Sequence, residues 1–160
     1  MADVKRITPT VGRGSLLGFI AGVLPGAGTT LGGFLGYSIE KKTAKNADSF
    51  GNGDIRGVAA PEAANNAAVG GSMVPTLALG IPGSGTAAVL LAYLTMYGLN
   101  PGPRFFETQS ALAWTVIGAL AVAALIGFLL NLPLAPLFSS VLLIPSHYLY
   151  ALSLIHISEP

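Results

Sequence analysis

The chain has 160 residues, of which 52% are hydrophobic and only 9% are charged. Soluble domains carry about 25% charged residues, so this composition argues against a soluble enzyme and against a disordered segment. A formal net charge of +1 excludes the basic footprint of a nucleic-acid-binding protein, and the lack of cysteine excludes disulfides and thiolate metal sites. No metal site is predicted.

The charged residues leave three long spans free of any charge, at 14–39, 63–103 and 108–158. One bilayer crossing needs about 20 apolar residues. The spans also lack the recurring polar face that a core helix of a soluble protein would show. The sequence therefore predicts an all-α, polytopic integral membrane protein, with about four to six membrane segments or half-helices within residues 1–151.

Two of these spans are interrupted by the same short motif, 57 residues apart. Proline removes a backbone donor and clashes with the preceding turn, and such breaks occur at membrane depth only where they line a cavity or are buried in protein. We expect re-entrant or discontinuous helices, whose freed N-termini bind an anion. Ordinary loops between helices are the alternative. The residues predicted to bind the solute here are Pro25, Gly26, Ala27, Gly28, Thr29 and Thr30 in the first motif and Pro82, Gly83, Ser84, Gly85 and Thr86 in the second.

The basic residues on either side of the first motif bear on orientation. Residues 1–13 and 40–57 hold seven Lys and Arg between them. A re-entrant hairpin turning at Pro25 and Gly26 would place both groups on the cytoplasmic side, as positively charged flanks prefer.

Between the two motifs, a few polar residues lie in apolar sequence. Pro61 followed by Glu62 is typical of a helix opening, but Glu62 is also a candidate for handling a coupling ion. Asn65 and Asn66 must find hydrogen-bond partners. They are candidates for contact with the substrate or with a coupling cation, and the alternative is hydrogen bonding between helices.

The segment 98–106 is predicted to be a loop that ends at Arg104, which either anchors the chain at the membrane interface or captures a carboxylate. The clearest crossing is 111–130, with an interruption expected at Asn131, Pro133 and Pro136. A weaker crossing follows at 137–152. Residues 152–160 resemble a translated cloning tail and are set apart from the rest.

Several strings in order resemble one family: GVLPGAGTT at 22–30, FGNGDIRGVAAPEAANNAAVGG at 50–71, VPTLALGIPGSGTAA at 74–88 and GLNPGPRFF at 98–106. The chain resembles the large membrane subunit of the tripartite tricarboxylate transporters, the TctA family, and specifically a fragment of its second half. The resemblance implies a multi-pass permease of the bacterial inner membrane. Such a permease works in the lipid bilayer with a small membrane subunit and a periplasmic solute-binding protein.

The same resemblance implies uptake of tricarboxylates or related organic acid anions, driven by an H⁺ or Na⁺ gradient and needing no other cofactor. A passive channel or a structural membrane subunit is the alternative, because glycine-rich helices alone do not establish alternating access. An enzyme is not expected, since the chain carries no Walker motif and Pro82 stands where a rhomboid-like Gly-x-Ser-Gly motif would need glycine.

Overall fold

The computed structural model describes residues 2–26 and 28–140, and these residues form helices and connecting turns without any strand. The expected all-α class is confirmed for this part of the chain. The residues fall into two compact units that divide after Ala113. The helices are α1 (Ala2–Val23), α2 (Gly28–Thr43), α3 (Arg56–Leu79), α4 (Gly85–Met96), α5 (Phe105–Thr108) and α6 (Ser110–Ser140), with a short 3₁₀ turn at Ala47–Ser49.

The core of the first unit is a three-helix bundle of α1, α2 and α3. Thr10 lies opposite Glu40, and Gly18 lies opposite Gly32, so α1 and α2 form an antiparallel hairpin. The chain reverses between Val23 and Gly28, where the first Pro-Gly motif stands. Helix α3 packs against both members of the hairpin and runs parallel to α1.

Small residues on four-residue spacing let these backbones approach closely. Gly14, Gly18 and Gly22 of α1 face a matching row on α3, namely Ala60, Ala64 and Ala68, which are almost completely buried. A Cβ added to Gly14 would lie 2.7 Å from the carbonyl oxygen of Ala60, and one added to Gly22 would lie 2.8 Å from the Cα of Ala68. In membranes, such contacts supply much of the attraction between helices.

Helix α3 begins earlier than the sequence predicts, and the expectation that Pro61 opens it is wrong. The carboxylate of Asp54 accepts the backbone N–H of Arg56 at 3.0 Å and starts the helix there. Pro61 is consequently the sixth helical residue, where its missing N–H removes one internal hydrogen bond. Glu62 therefore lies in the second turn of α3, away from the positive end of that helix.

A helix also ends before the second Pro-Gly motif, and another begins within the motif. Helix α3 ends at Leu79, and Gly80 follows in the left-handed region with φ 70°. Ser84 then caps α4, because its Oγ accepts the N–H of Ala87 at 3.1 Å. Glycine suits the position after α3 because a side chain is strained at positive φ.

The interruption expected after residue 130 is wrong, because α6 continues unbroken to Ser140 with Pro133 and Pro136 inside it. Asn131 does not cap a helix end, since its Nδ2 donates to the carbonyl of Gly127 one turn back at 2.8 Å. Each proline removes a single backbone hydrogen bond, which a long helix tolerates. The weaker crossing expected at 137–152 thus begins inside α6, and its remainder, like the tail at 152–160, lies outside the described residues.

Among the described helices, only α6 is long and apolar enough to cross a membrane, with a mean hydropathy of 2.3 over its most apolar window. Helix α4 is apolar as well but has only 12 residues. The number of membrane segments, expected to be four to six, stays a prediction.

Candidate functional site

Both Pro-Gly motifs line one cavity of about 420 Å³ in the first unit, which we call the motif cavity. The start of α2 forms one wall, the segment leading into α4 forms another, and one face of α3 contributes Val69 and Met73. The structure thus brings together two segments that lie 57 residues apart in the chain. The lining residues from the motifs are Gly26, Gly28, Thr29, Thr30, Pro82, Ser84, Gly85 and Thr86.

The cavity suits an anion because two helices begin at its wall. The first backbone N–H groups of a helix have no partner within the helix, and each helix N-terminus carries roughly half a positive charge. Helices α2 and α4 start at Gly28 and Gly85, both in the lining. Hydroxyls of Thr29 and Thr86 add further donors, and no acidic residue is among the described lining residues.

Among the described residues of the two motifs, Pro25 and Gly83 are not in this lining. Pro25 is exposed outside the lining, and Ala27 lies outside the described residues. Gly83 is buried behind the cavity, where its N–H donates to Thr76 Oγ1 at 3.3 Å. The amide of Gly83 is therefore occupied by the protein and supports the cavity wall.

Thr76 is a residue of this site that the sequence reasoning missed. It is fully buried, and its hydroxyl donates to the carbonyl of Ser72 at 2.6 Å while accepting from Gly83. A Cβ added to Gly83 would lie 2.8 Å from the Cβ of Ser72, so this glycine is pressed against α3. The four-residue spacing of Ser72 and Thr76 on one helix face was the available signal.

A second cavity, which we call the Glu62 cavity, has a volume of about 590 Å³ and shares Thr29 and Thr30 with the first. Glu62 and Asn65 contribute a carboxylate and an amide to its wall. The first turn of α2 thus takes part in both cavities. The other lining residues are Gly33, Phe34, Tyr37 and Pro61.

The two adjacent asparagines are separated by the helix geometry. Asn65 lines the Glu62 cavity, whereas Asn66 is in neither lining and donates its Nδ2 to the carbonyl of Glu62 on its own helix at 2.9 Å. Both side chains are exposed. Within the described residues, neither forms the hydrogen bond between helices that the alternative interpretation required.

The opposite end of the bundle holds two buried carboxylates whose ion pairs the sequence did not predict. The buried carboxylate of Glu40 accepts from both nitrogens that Arg13 presents, at 2.8 to 3.1 Å, and from Thr10 at 2.8 Å. Asp54 is buried in the same way, and its partner Arg56 binds it at 2.7 Å.

Asp54 is held ionised by its neighbours. Hydrogen bonds from the Arg56 guanidinium, from the Ser49 hydroxyl and from the Arg56 backbone hold the pKa of Asp54 well below its usual range. Its side chain also pairs with Arg6 at 3.2 Å. One carboxylate therefore joins α1, the 44–55 connection and the start of α3.

Arg104 follows a loop that packs on the end of α3, where the N–H of Gly102 donates to the carbonyl of Leu77 at 3.1 Å. The side chain is exposed, while the adjacent Phe105 is buried. In the described part of the chain, Arg104 joins neither cavity lining nor any ion pair. This arrangement favours the interfacial interpretation over carboxylate capture.

Residues 2–26 and 28–140 form only helices and turns, with one long apolar helix and a cavity between two helix starts, and this combination is typical of a membrane transport protein. The sequence model of the Tripartite tricarboxylate transporter TctA family matches residues 1–158. The chain belongs to this family, which is a family of transporters and not of enzymes. The match overlaps most of the segment 152–160 that the sequence analysis set apart.

Two proteins of Agrobacterium vitis are similar to this chain. One is described as an uncharacterized 52.8 kDa protein in the TAR-I ttuC' 3' region and is 44% identical over 148 residues, which is 92% of this chain and 30% of that protein. The other is described as an uncharacterized protein in the TAR-II ttuC' 3' region and is 43% identical over 133 residues, or 83% of this chain and 55% of that protein. The chain thus spans about a third and about half of their lengths. No solved structure matches it.

Proposed function

We propose that this chain is part of the large membrane subunit of a tripartite transporter and that the motif cavity holds a carboxylate group of an organic acid anion. The observation that carries the proposal is the convergence of two helix N-termini, at Gly28 and Gly85, on one cavity. Its volume of about 420 Å³ lies within the usual range of small-molecule sites, roughly 300–1,000 Å³.

The neighbouring Glu62 cavity supports a role in coupling transport to an ion gradient. A carboxylate, an amide oxygen and threonine hydroxyls are hard oxygen ligands that suit Na⁺, and a carboxylate can alternatively carry H⁺. Because Thr29 and Thr30 border both cavities, a small rearrangement of the first turn of α2 would change the lining of both cavities at once. We infer that Glu62 and Asn65 handle the coupling ion.

The remaining parts of the proposal come from family membership. They are a multi-pass location in the bacterial inner membrane, substrates of the tricarboxylate type, a small membrane subunit and a periplasmic solute-binding protein. In this setting, the Pro-Gly motifs are breaks at membrane depth, where irregular backbone is tolerated because it lines a cavity.

The test is gradient-driven uptake of labelled citrate and other carboxylates by the full-length permease with its partner subunits, comparing wild type with Gly85→Leu. Gly85 lines the motif cavity, and an added Cβ there meets no atom within 4 Å, so the larger side chain enters open space instead of the protein core. We expect the KM for the solute to rise at least about tenfold, which corresponds to a loss of about 1.4 kcal/mol.

Gly70→Leu is the matched control. Gly70 lies on the exposed face of α3, an added Cβ there is equally free of contacts, and it lines neither cavity. Equal uptake kinetics in the two variants, at equal membrane abundance, would refute the assignment of the site. Uptake that persists unchanged after the ion gradient is collapsed would instead favour the passive channel.

A further inference from the structure

The basic residues of this chain gather at one end of the three-helix bundle. Helices α1 and α3 begin there and α2 ends there, because α2 is antiparallel to the other two. This end, which we call the charged end, consists of residues 2–13 and 40–56. It holds seven of the eight Lys and Arg and four of the seven Asp and Glu of the sequence. The basic residues are Lys5, Arg6, Arg13, Lys41, Lys42, Lys45 and Arg56.

The acids and the bases of the charged end are not equally accessible. Glu40 and Asp54 are buried and already paired with Arg13 and Arg56, at 2.8 and 2.7 Å. By contrast, Lys41, Lys42 and Lys45 are exposed, and no salt bridge within the described residues engages them. The exposed charges that no salt bridge engages in the described residues are therefore mainly cationic, with Lys5 and these three lysines against Asp3 and Asp48.

A pocket opens in this surface beside the lysines. It has a volume of about 400 Å³ and is lined by Arg13, Glu40, Thr43, Ala44, Lys45, Asn46 and Arg56. Of its three cationic side chains, Arg13 and Arg56 are paired with Glu40 and Asp54, which leaves the Lys45 ammonium as the uncompensated charge. A phosphate group placed there would meet donors without meeting an unpaired negative charge.

The distance from the charged end to the motif cavity matches the half-thickness of a bilayer. Helix α1 runs ten residues from Gly14, the first residue of the charge-free span, to its end at Val23, which is about 15 Å at 1.5 Å per residue. The hydrocarbon core of a bilayer is about 30 Å thick. With the charged end at the headgroups, the turn of the hairpin and the motif cavity fall near the membrane centre, where transporter sites of this kind lie.

We propose that the charged end is an anionic-phospholipid-binding surface on the cytoplasmic face of the membrane, and that it fixes the depth and orientation of the motif cavity. The proposal rests on the membrane location given under the proposed function. Cytoplasmic leaflets carry anionic lipids, and lysines near their surface are attracted to them by an amount equivalent to about fivefold in binding per residue. Phosphates of these headgroups occupy the pocket beside Lys45.

The first experiment measures lipid preference in the full-length permease reconstituted into phosphatidylethanolamine vesicles. Spin-labelled phosphatidylglycerol and spin-labelled phosphatidylcholine report the ratio of their association with the protein. We expect wild type to prefer phosphatidylglycerol severalfold. The triple variant Lys41→Gln, Lys42→Gln, Lys45→Gln should bring the ratio close to one, and 1 M salt should do the same because it shortens the screening length to about 3 Å.

The matched control is the triple variant Lys41→Arg, Lys42→Arg, Lys45→Arg, which keeps the three positive charges at the same positions. It should leave the ratio unchanged. A ratio that is the same in the glutamine triple variant and in wild type overturns the proposal. A preference that millimolar inorganic phosphate abolishes also overturns it, because the pocket would then serve a soluble anion.

The second experiment tests the orientation. The chain has no cysteine, so Asn52→Cys introduces one thiol in the exposed part of the 44–55 connection. The variant is made in a full-length permease from which any other cysteine has been removed. A membrane-impermeant maleimide should label it in inside-out vesicles and not in right-side-out vesicles. The opposite pattern overturns the proposal. Solute uptake measured on the same vesicles reports on the motif cavity separately, so failure of one idea is distinguishable from failure of the other.

Discussion

The close contact between α1 and α3 makes a strong prediction about Gly18. A Cβ added at this position would lie 2.5 Å from both the Cα and the carbonyl carbon of Ala64, and closer still to the carbonyl oxygen. These are backbone atoms of a residue with no exposed surface, so no side-chain rotation relieves the clash. Gly18→Ala must therefore push α1 and α3 apart.

The size of the effect follows from two opposing contributions. Overpacking by one carbon in a tight core costs about 1–3 kcal/mol, and a clash against backbone belongs at the upper end of that range. Alanine regains about 1 kcal/mol through its higher helix propensity. We expect a net loss of about 2 kcal/mol for Gly18→Ala, transmitted along the row of contacts to Gly22 and toward the motif cavity.

Gly12→Ala supplies the matched control on the same helix. An added Cβ at Gly12 meets no atom within 4 Å, so only the helix-propensity gain of about 1 kcal/mol applies. The free energy of unfolding should thus fall by about 2 kcal/mol in Gly18→Ala and rise by about 1 kcal/mol in Gly12→Ala, a difference of about 3 kcal/mol between the two variants. Thermal unfolding followed by size-exclusion chromatography in detergent would measure the difference. A Gly18→Ala protein as stable as Gly12→Ala would refute the packing of α1 on α3.

The remaining predictions concern a hydroxyl and a carboxylate. Thr76→Val leaves the buried N–H of Gly83 without its acceptor, which costs about 1–3 kcal/mol. We therefore expect lower thermal stability and a raised KM for the solute in Thr76→Val, and wild-type values of both in Thr76→Ser. A valine variant that matches the serine variant in both assays would contradict this. The pKa of Asp54 is lowered in the folded protein, mainly by Arg56, so its stabilising effect is complete above the ordinary Asp value of about 3.9 and is lost as the pH falls below it. For the wild type, we expect a melting temperature that is constant from pH 8 to about 5 and falls below about pH 4. Asp54→Asn should melt at a lower temperature at neutral pH and should lose less stability in acid. An acid profile in that variant identical to that of the wild type would contradict the assignment.

The sequence predicted the all-α class of the described residues, whereas the broken membrane helices stay a prediction. Proline and paired glycines disturb a helix wherever they stand, and new helices indeed begin at Gly28 and Gly85. That both motifs would border one cavity was an extrapolation from their similarity, and the structure agrees with it in geometry. The role of the cavity in binding a solute stays a prediction.

The two helix boundaries that were predicted wrongly share one physical cause. Proline carries a local penalty, but tertiary and capping interactions decide whether the helix ends. Proline is common at the first position of a helix, but α3 begins five residues before Pro61, at Arg56, whose backbone N–H Asp54 accepts. At Pro133 and Pro136 the long apolar helix keeps enough of its other hydrogen bonds to continue.

The partners of the charged residues could not be predicted from the sequence. In the sequence, Glu40 beside two lysines and Asp54 near Arg56 look like ordinary surface acids. Only the antiparallel hairpin brings Glu40 to Arg13 across 27 positions. The four-residue spacing of Gly14, Gly18 and Gly22 is visible in the sequence and indicates a groove for close helix packing. It does not indicate which helix fills that groove. Once α3 fills the groove, its start must lie beside the start of α1 and the end of α2, and the basic residues of 2–13 and 40–56 then form one surface. The orientation proposed here thus depends on the same glycine contacts that Gly18→Ala would test.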